Sequence, residues 1–331
     1  MKKNIALLFG GKGHEHEVSL RGALSLRSHF NPEKYKITDV FIDLGGNFFI
    51  INADGEKYPT FPVKMLGKSG FLLRNTLFAP DAVFPLLHGD FGEDGRIQGL
   101  LECAELPFIG EDTRVGALTA DKAFTKAVAE RLKIPTAKHL VFRGASAEDA
   151  EMQVSSSIGY PVFVKPTGLG SSVGAGSAHT KEEFISAYNR AKINGSVIVE
   201  ELVGDKRELE VAYLNFFGKR TVTPPSEILC SGTYGYTEKY KLGTKTKTVA
   251  SVPFEISELA KEYALRLVSE IGIFSIARID FFYSHGVLLF NEINTLPGFT
   301  EDSMYLKMLK AAGIPEDAVI DALTERAGER L

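Results

Sequence analysis

The chain has 331 residues, 44% of them hydrophobic, and a formal net charge of −4; that is length for two or three domains and apolar content for a real core. So balanced a charge gives no argument for nucleic acid or an anionic membrane surface as a partner. The two cysteines, Cys103 and Cys230, are too few for a disulfide framework, which points to a reducing, cytoplasmic setting.

In chain order, 5–9 reads as a buried strand, 10–13 as a tight loop and 18–30 as a helix. The apolar run at the start ends at Gly10, before Lys12, His14 and Glu15, so it is too short for a signal peptide. No stretch approaches a membrane span. Strands follow at 37–42 and 82–87, the latter ending at His88-Gly89, then a helix at 97–104 and a short strand at 106–109. This alternation predicts an α/β unit with an open, largely parallel sheet, whose ligands sit beyond the strand C-terminal ends. Loops 10–16 and 88–95 fall there. In the second, Asp94 suits a helix cap, and His88 is the better site candidate. In the first, His14-Glu15-His16-Glu17 lacks the His-x-x-x-His spacing of a helical zinc site. A carboxylate here is better placed to hold a substrate ammonium.

From about Asp112 the pattern changes. A helix at 121–132 is stopped by Pro135, and strands 138–142, 161–166 and 196–201 alternate with helices 146–156 and 181–192. The remainder reads as strand 208–215, a long polar segment 230–247, helix 255–271, two apolar strand runs at 274–283 and 287–293, and closing helices at 303–311 and 315–327. A polar segment that long is more often functional or mobile than idle. The expected organisation is an N-terminal substrate unit at 1–110, a small α+β unit at 111–200 and a catalytic unit at 201–331.

Lys165-Pro166 opens a loop running through Gly168, Gly170, Ser171, Ser172 and Gly174. Glycines let backbone N–H groups approach an anion, serines add donors, and a lysine at the strand end neutralises phosphate. A flexible hairpin loop is the competing reading, credible for the glycines alone but poor with the lysine and paired serines. No Walker A sequence occurs, and His16 stands where a dinucleotide fingerprint after Gly11 and Gly13 needs its third glycine. Glu200-Glu201 end an apolar strand. Alone they read as surface acids; beside a phosphate loop they suit an adenine amino group or ribose hydroxyls.

The most informative segment is the pair of runs flanking Ser284-His285-Gly286. Side chains alternate along a strand, so Arg278 and Asp280 share a face, as do Glu292 and Asn294. A hairpin centred near Gly286 sets Asp280 opposite Glu292 and Arg278 opposite Asn294. Three hard oxygen donors and a cation then share one surface, which suits magnesium. A solvated face with a surface ion pair is the competing reading; the apolar remainder of both strands and the adjoining Pro297-Gly298 weigh against it.

Taken together, the chain resembles a D-alanine–D-alanine ligase of the ATP-grasp superfamily. The resemblance rests on blocks in one order over nearly the whole length: Gly10-Gly11 with Glu15 to Leu20, His88-Gly89 with Gly92 to Gly95 and Gln98-Gly99, Asp121-Lys122, and Lys165-Pro166 with Gly170 to Gly174. Glu200-Glu201, Glu238-Lys239-Tyr240, Arg278-Ile279-Asp280 and Asn291 to Thr300 complete it. It implies an ATP-grasp fold with ATP between the central and C-terminal units. Lys122, Lys165 and Lys239 would contact phosphates under the Ser171-Ser172 loop, Glu200 and the Leu202 backbone the adenine, and Glu208 the ribose. Asp280, Glu292 and Asn294 would hold two magnesium ions, with manganese as a substitute. Glu15 would bind the ammonium of the first D-alanine and link through Ser171 to Tyr240. Arg278 and the Gly298 N–H would face the oxyanion, Ser303 the second substrate's carboxylate, and His88 would lie near the first substrate. Segment 230–247 would close as a lid. The implied activity converts one D-alanine carboxylate to an acyl phosphate, which a second D-alanine attacks, in a homodimeric enzyme serving peptidoglycan synthesis. A D-Ala-D-Ser ligase and a non-catalytic nucleotide-binding module are the alternatives. Met304, where D-serine users tend to carry arginine, and the Lys239-Tyr240 pair favour D-alanine; Leu306 departs from the family's usual proline.

Overall fold

A computed structural model describes residues 1–170, 173–229, 245–300 and 303–327. Strand β1 (Lys3–Gly10) is followed by α1 (His16–Ser28), β2 (Tyr35–Ile42), β3 (Phe48–Ile51), β4 (Lys57–Thr60), β5 (Pro62–Met65), β6 (Lys68–Leu73), β7 (Thr76–Phe78), β8 (Ala82–Leu86) and α2 (Arg96–Cys103). The first sheet has the order β4-β3-β2-β1-β8. Ile5 and Leu7 of β1 pack on one face with α1, and Ala6 and Leu8 on the other with α2. Cover on both faces is why β1 reads as an unbroken apolar run.

The sheet is less parallel than its sequence suggests. β1 pairs in parallel with β2 and β8, but β3 and β4 add antiparallel edges. The β1–β2 connection contains a helix, which a parallel crossover needs; the β2–β3 connection is a tight turn held by Asp43, whose carboxylate accepts from the Asn47 amide at 2.8 Å and so returns the chain antiparallel. Strands β5–β7 form a small separate sheet. The expected strand at 106–109 is a single bridge, Phe108 to Val83.

The chain continues with α3 (Thr113–Ala120), α4 (Lys122–Arg131), β9 (His139–Arg143), α5 (Ala147–Ser157), β10 (Val162–Pro166), β11 (Gly176–Ala178), α6 (Lys181–Ala191) and β12 (Ser196–Glu201). The four strands form an antiparallel sheet, β11-β10-β12-β9. Last come β13 (Arg207–Phe216), β14 (Lys219–Val222), β15 (Ser226–Leu229), β16 (Lys245–Lys247), α7 (Phe254–Ile271), β17 (Ile276–Ser284), β18 (Val287–Asn294), α8 (Met304–Ala311) and α9 (Glu316–Ala327). Their sheet runs β16-β15-β13-β17-β18, with β14 also on β13. Helix α7 and residues of α3 and α4 cover one face of it. The core on its other side joins α8 and α9 to β1 and β8, so the C-terminal helices tie the last sheet to the first. No described helix is long and apolar enough to cross a membrane.

Candidate active site

The β17–β18 hairpin turns through two residues, His285 and Gly286, both at positive φ, with Ser284 paired to Val287. A uniform ladder from that turn sets Asp280 opposite Asn291. Instead the register slips between Asp280 and Phe281, so that Asp280 faces Glu292 and Arg278 faces Asn294. The expected pairing is therefore present, by a different route from a simple hairpin about Gly286: a bulge at Asn291 supplies the extra residue.

Asp280, Asn291 and Glu292 line a cleft between the second and third sheets. Lys122, Lys165, Glu200, Leu202 and Glu208 line it too. Sequence reasoning thus assembled one wall and the floor of a single cleft.

Lys126, which the sequence reading passed over, proves central. Asp121 caps α4 by accepting from the Ala123 amide at 2.8 Å, and Lys122 and Lys126 fall on one helical face four residues apart. Lys126 is wholly buried, with Nζ 3.0 Å from Glu200 Oε1. Lys165 Nζ lies 2.9 Å from Glu200 Oε2 and 3.4 Å from Asn291 Oδ1. Burial by itself raises the Glu200 carboxyl; the Lys126 and Lys165 ammoniums outweigh it and hold it at about 2. Desolvation draws Lys126 below the ordinary ammonium range, and neighbouring Lys165 adds to this against the pull of Glu200. Lys126 Nζ and Glu200 Oε1, though close, make no aligned hydrogen bond in the protein. Lys122 Nζ donates to the Leu169 carbonyl at 2.9 Å and lies 3.6 Å from Glu292 Oε2.

At the base end, the Leu202 amide donates to the Pro161 carbonyl at 3.1 Å. Glu208 Oε1 is 3.0 Å from Lys206 Nζ, and Lys206 stands over the Phe282 ring at 3.8 Å.

Arg278 is largely buried and donates to both oxygens of Asp280, Nε and Nη2 each at 2.8 Å. Its Nε is also 3.3 Å from Glu210 Oε1, a second residue that sequence reasoning missed. Desolvation opposes its charge, but Asp280 and Glu210 hold it well above the usual arginine range. Asn294 Oδ1 accepts from the Leu296 amide at 2.9 Å. The Asp280 and Glu292 carboxylates and the Asn294 amide are hard oxygen donors, too few to fill an octahedral shell, which fits magnesium completed by waters and phosphate oxygens. Among the described residues no cluster of three or more His, Cys, Asp or Glu is gathered for a metal; this set has only two such groups, and the amide is the third.

Arg278 and Asn294 lie outside the cleft lining, as do Glu15, His88, Gly298 and Ser303. Ser19 anchors the Glu15 loop, accepting from the Gly10 amide at 2.8 Å and donating to the Leu86 carbonyl. Glu15 Oε2 would stand 2.1 Å from a Cβ at Gly89, whose φ is +67°, and 3.4 Å from one at Gly170. A side chain at Gly89 would sit at a strained positive φ and displace the Glu15 carboxylate, and Glu15 reaches the edge of the phosphate-type loop. His88 Nδ1 is 3.5 Å from Glu93 Oε1; burial raises the Glu93 carboxyl, with Glu15 adding to the effect and His88 and Arg278 opposing it. Asp94 sits one position before the helix N-cap, Gly95, and accepts from the Phe91 and Arg96 amides at 3.0 and 3.1 Å. Ser303 Oγ accepts from the Thr300 amide at 3.1 Å, and a Cβ at Gly298 would lie 2.6 Å from it. Ser171, Ser172, Lys239 and Tyr240 lie outside the described residues, as does the expected lid apart from β16.

The family description "D-ala D-ala ligase N-terminus" matches residues 4–111 and "D-ala D-ala ligase C-terminus" matches 128–325. The chain belongs to the D-alanine–D-alanine ligase family. It is 36% identical to the D-alanine–D-alanine ligase of Ruminiclostridium cellulolyticum, over 99% of this chain and 96% of that protein. Its fold matches the VanG D-Ala:D-Ser ligase of Enterococcus faecalis with a TM-score of 0.89 at 31% identity, over 99% of this chain and 100% of that one. The D-alanine–D-alanine ligase of Coxiella burnetii gives the same TM-score at 29% identity, over 99% and 94%. The expected ATP-grasp architecture is therefore that of this ligase.

Proposed function

We propose a division of labour among these residues for the ATP-dependent ligation of two D-alanines. The observation that carries it is the meeting, in one cleft, of a doubly paired Glu200 with the Asp280–Glu292 pair, Arg278 chelating Asp280 from outside the lining. Membership of the family makes the chain an ATP-using ligase that forms D-alanyl-D-alanine.

A carboxylate is a poor electrophile. One oxygen of the first D-alanine's carboxylate attacks the γ-phosphorus of ATP, ADP leaves, and an acyl phosphate results. Lys122, Lys165 and Lys239 hold the phosphates and neutralise charge as it moves outward, which is most of what phosphoryl transfer asks of a protein, with Lys126 behind them paired to Glu200. Glu200 and the Leu202 backbone meet the adenine, Leu202 through its carbonyl because its amide is engaged, and Glu208 takes the ribose. Asp280, Glu292 and Asn294 would hold two magnesium ions; bound there, these supply Lewis-acid polarisation of the phosphate oxygens. Glu15 holds the first substrate's ammonium, with His88 beside it. The second D-alanine's amine attacks the acyl carbon, and the oxyanion forms against Arg278 and the Gly298 N–H before it collapses and expels phosphate. Donors fixed in advance for that charge are commonly the largest catalytic contribution. Ser303 holds the second carboxylate. Ser171, Ser172, Lys239 and Tyr240 complete the reading as loop and lid contacts that keep water from the acyl phosphate.

The units 1–110, 111–200 and 201–331, a homodimeric state, a cytoplasmic location and a role in peptidoglycan precursor synthesis belong to the same reading. The VanG likeness keeps D-serine as the alternative second substrate; Met304, buried at the start of α8, supports D-alanine. Phosphate release from ATP and magnesium, with D-alanine, D-serine, D-lactate or L-alanine alone and in pairs, tests the reading. Release with D-alanine alone and a dipeptide of the right mass is expected. Release only with a second partner moves the specificity to a D-Ala-D-X ligase, and no release in any mixture leaves a nucleotide-binding module.

A further inference from the structure

Arg278 has one carboxylate more than its charge requires. Glu210 and Asp280 stand directly opposite each other across the antiparallel β13–β17 pair, and Glu210 is buried. Like charges at directly opposed positions repel, and a buried carboxylate is costly unless paired. Arg278 is the cation between them, chelating Asp280 at 2.8 Å and lying 3.3 Å from Glu210 through the same Nε. The assignment above gives Asp280 two claimants, this guanidinium and a divalent cation. With Asp280 as its sole partner, Arg278 would be left uncompensated whenever the cation took that carboxylate.

We propose that Glu210 is a positioning residue that retains Arg278 when Asp280 turns to the cation, leaving Asp280 available and the guanidinium still aimed at the acyl carbon. The inference rests on the assignment of Asp280 and Glu292 to the cation. It differs from a direct role for Glu210 as a metal ligand, because its effect must pass through Arg278.

The test measures Mn²⁺ binding in the presence of ADP, by the resonance signal of free Mn²⁺, together with initial rates, on the full chain. Glu210→Gln is expected to weaken Mn²⁺ binding about tenfold and to lower kcat, the low end of the loss when one member of a close charge pair is removed. The double variant Glu210→Gln/Arg278→Gln removes the competitor and is expected to bind Mn²⁺ within about threefold of wild type, while kcat stays low. A double variant as weak for Mn²⁺ as Glu210→Gln alone would make Glu210 a ligand and overturn the proposal, as would a Glu210→Gln protein with wild-type binding and kcat. Where Glu210→Gln alone does not fold, Arg278→Gln is compared with the double variant: equal Mn²⁺ affinity supports the proposal, and a tenfold loss overturns it. Asp280→Asn separates the two levels, since wild-type Mn²⁺ binding there removes the cation assignment itself.

Discussion

On the β10–β12 side of the cleft, one carboxylate, Glu200, lies between two ammoniums, Lys126 and Lys165. On the β13–β17 side, one guanidinium, Arg278, lies between two carboxylates, Asp280 and Glu210. The two triads are charge inverses, each carrying one unit that its own members leave uncompensated. Lys122 and Glu292 add one charge of each sign beside them, and Glu292 acts on both Lys126 and Arg278, so the cleft is balanced as a whole while each triad keeps its own sign. The first suits phosphate and the second a divalent cation, which are the two halves of one magnesium nucleotide.

The comparison breaks first at Glu200. Glu200→Gln leaves two desolvated ammoniums without their partner, and denaturant unfolding should show a loss of about 3–5 kcal/mol. Unchanged stability would mean that the lysines are not paired as the geometry has them. Acid titration sharpens the same point. The Glu200 carboxyl lies at about 2 in the folded protein against an ordinary 4.5. Its contribution is therefore complete above about pH 4.5 and lost as pH falls toward 2, of order 3 kcal/mol in all. The wild type should lose that much more stability across this window than Glu200→Gln, in urea melts at stepped pH.

The cation-seeking triad should answer differently. Asp280→Asn should cut turnover about a hundredfold or more, yet move unfolding stability by only about 1 kcal/mol, because Arg278 keeps Glu210 as partner. A loss of stability like that of Glu200→Gln would erase the contrast between the triads. The smallest effect is expected at Asn291. Asn291→Ala removes the 3.4 Å contact to Lys165; it should raise the KM for ATP a few-fold, about 1 kcal/mol, and leave the magnesium dependence where it was.

Much of this was legible residue by residue. Asp280 and Glu292 were paired from alternation and a hairpin centred near Gly286, although the ladder is uniform only in the expectation; the turn is one residue tighter and the Asn291 bulge restores the register. Lys126 was within reach, since it follows Lys122 by one helical turn and so shares its face. Glu210 was half within reach: two residues after Glu208 on a strand it shares that face, but nothing local says that β13 lies beside β17 rather than another strand. The residues 48–78 were unread because their strands are short and lie mostly on edges, where the apolar pattern is weak.

By itself the sequence determined the strands and helices that carry the site, the loops at the ends of β1 and β8, the carboxylates and lysines available to the site, and the family. Those follow from local periodicity, turn chemistry and an ordered set of motifs, all carried by neighbours in the chain. Tertiary structure alone decided that Lys126 and Lys165 share one carboxylate, that Glu210 and Asp280 share one guanidinium, and that Glu15 reaches Gly170 from another sheet. The partner of a buried charge is set by which strands and helices pack together, and that packing joins residues whose separation in sequence carries no signal of their contact.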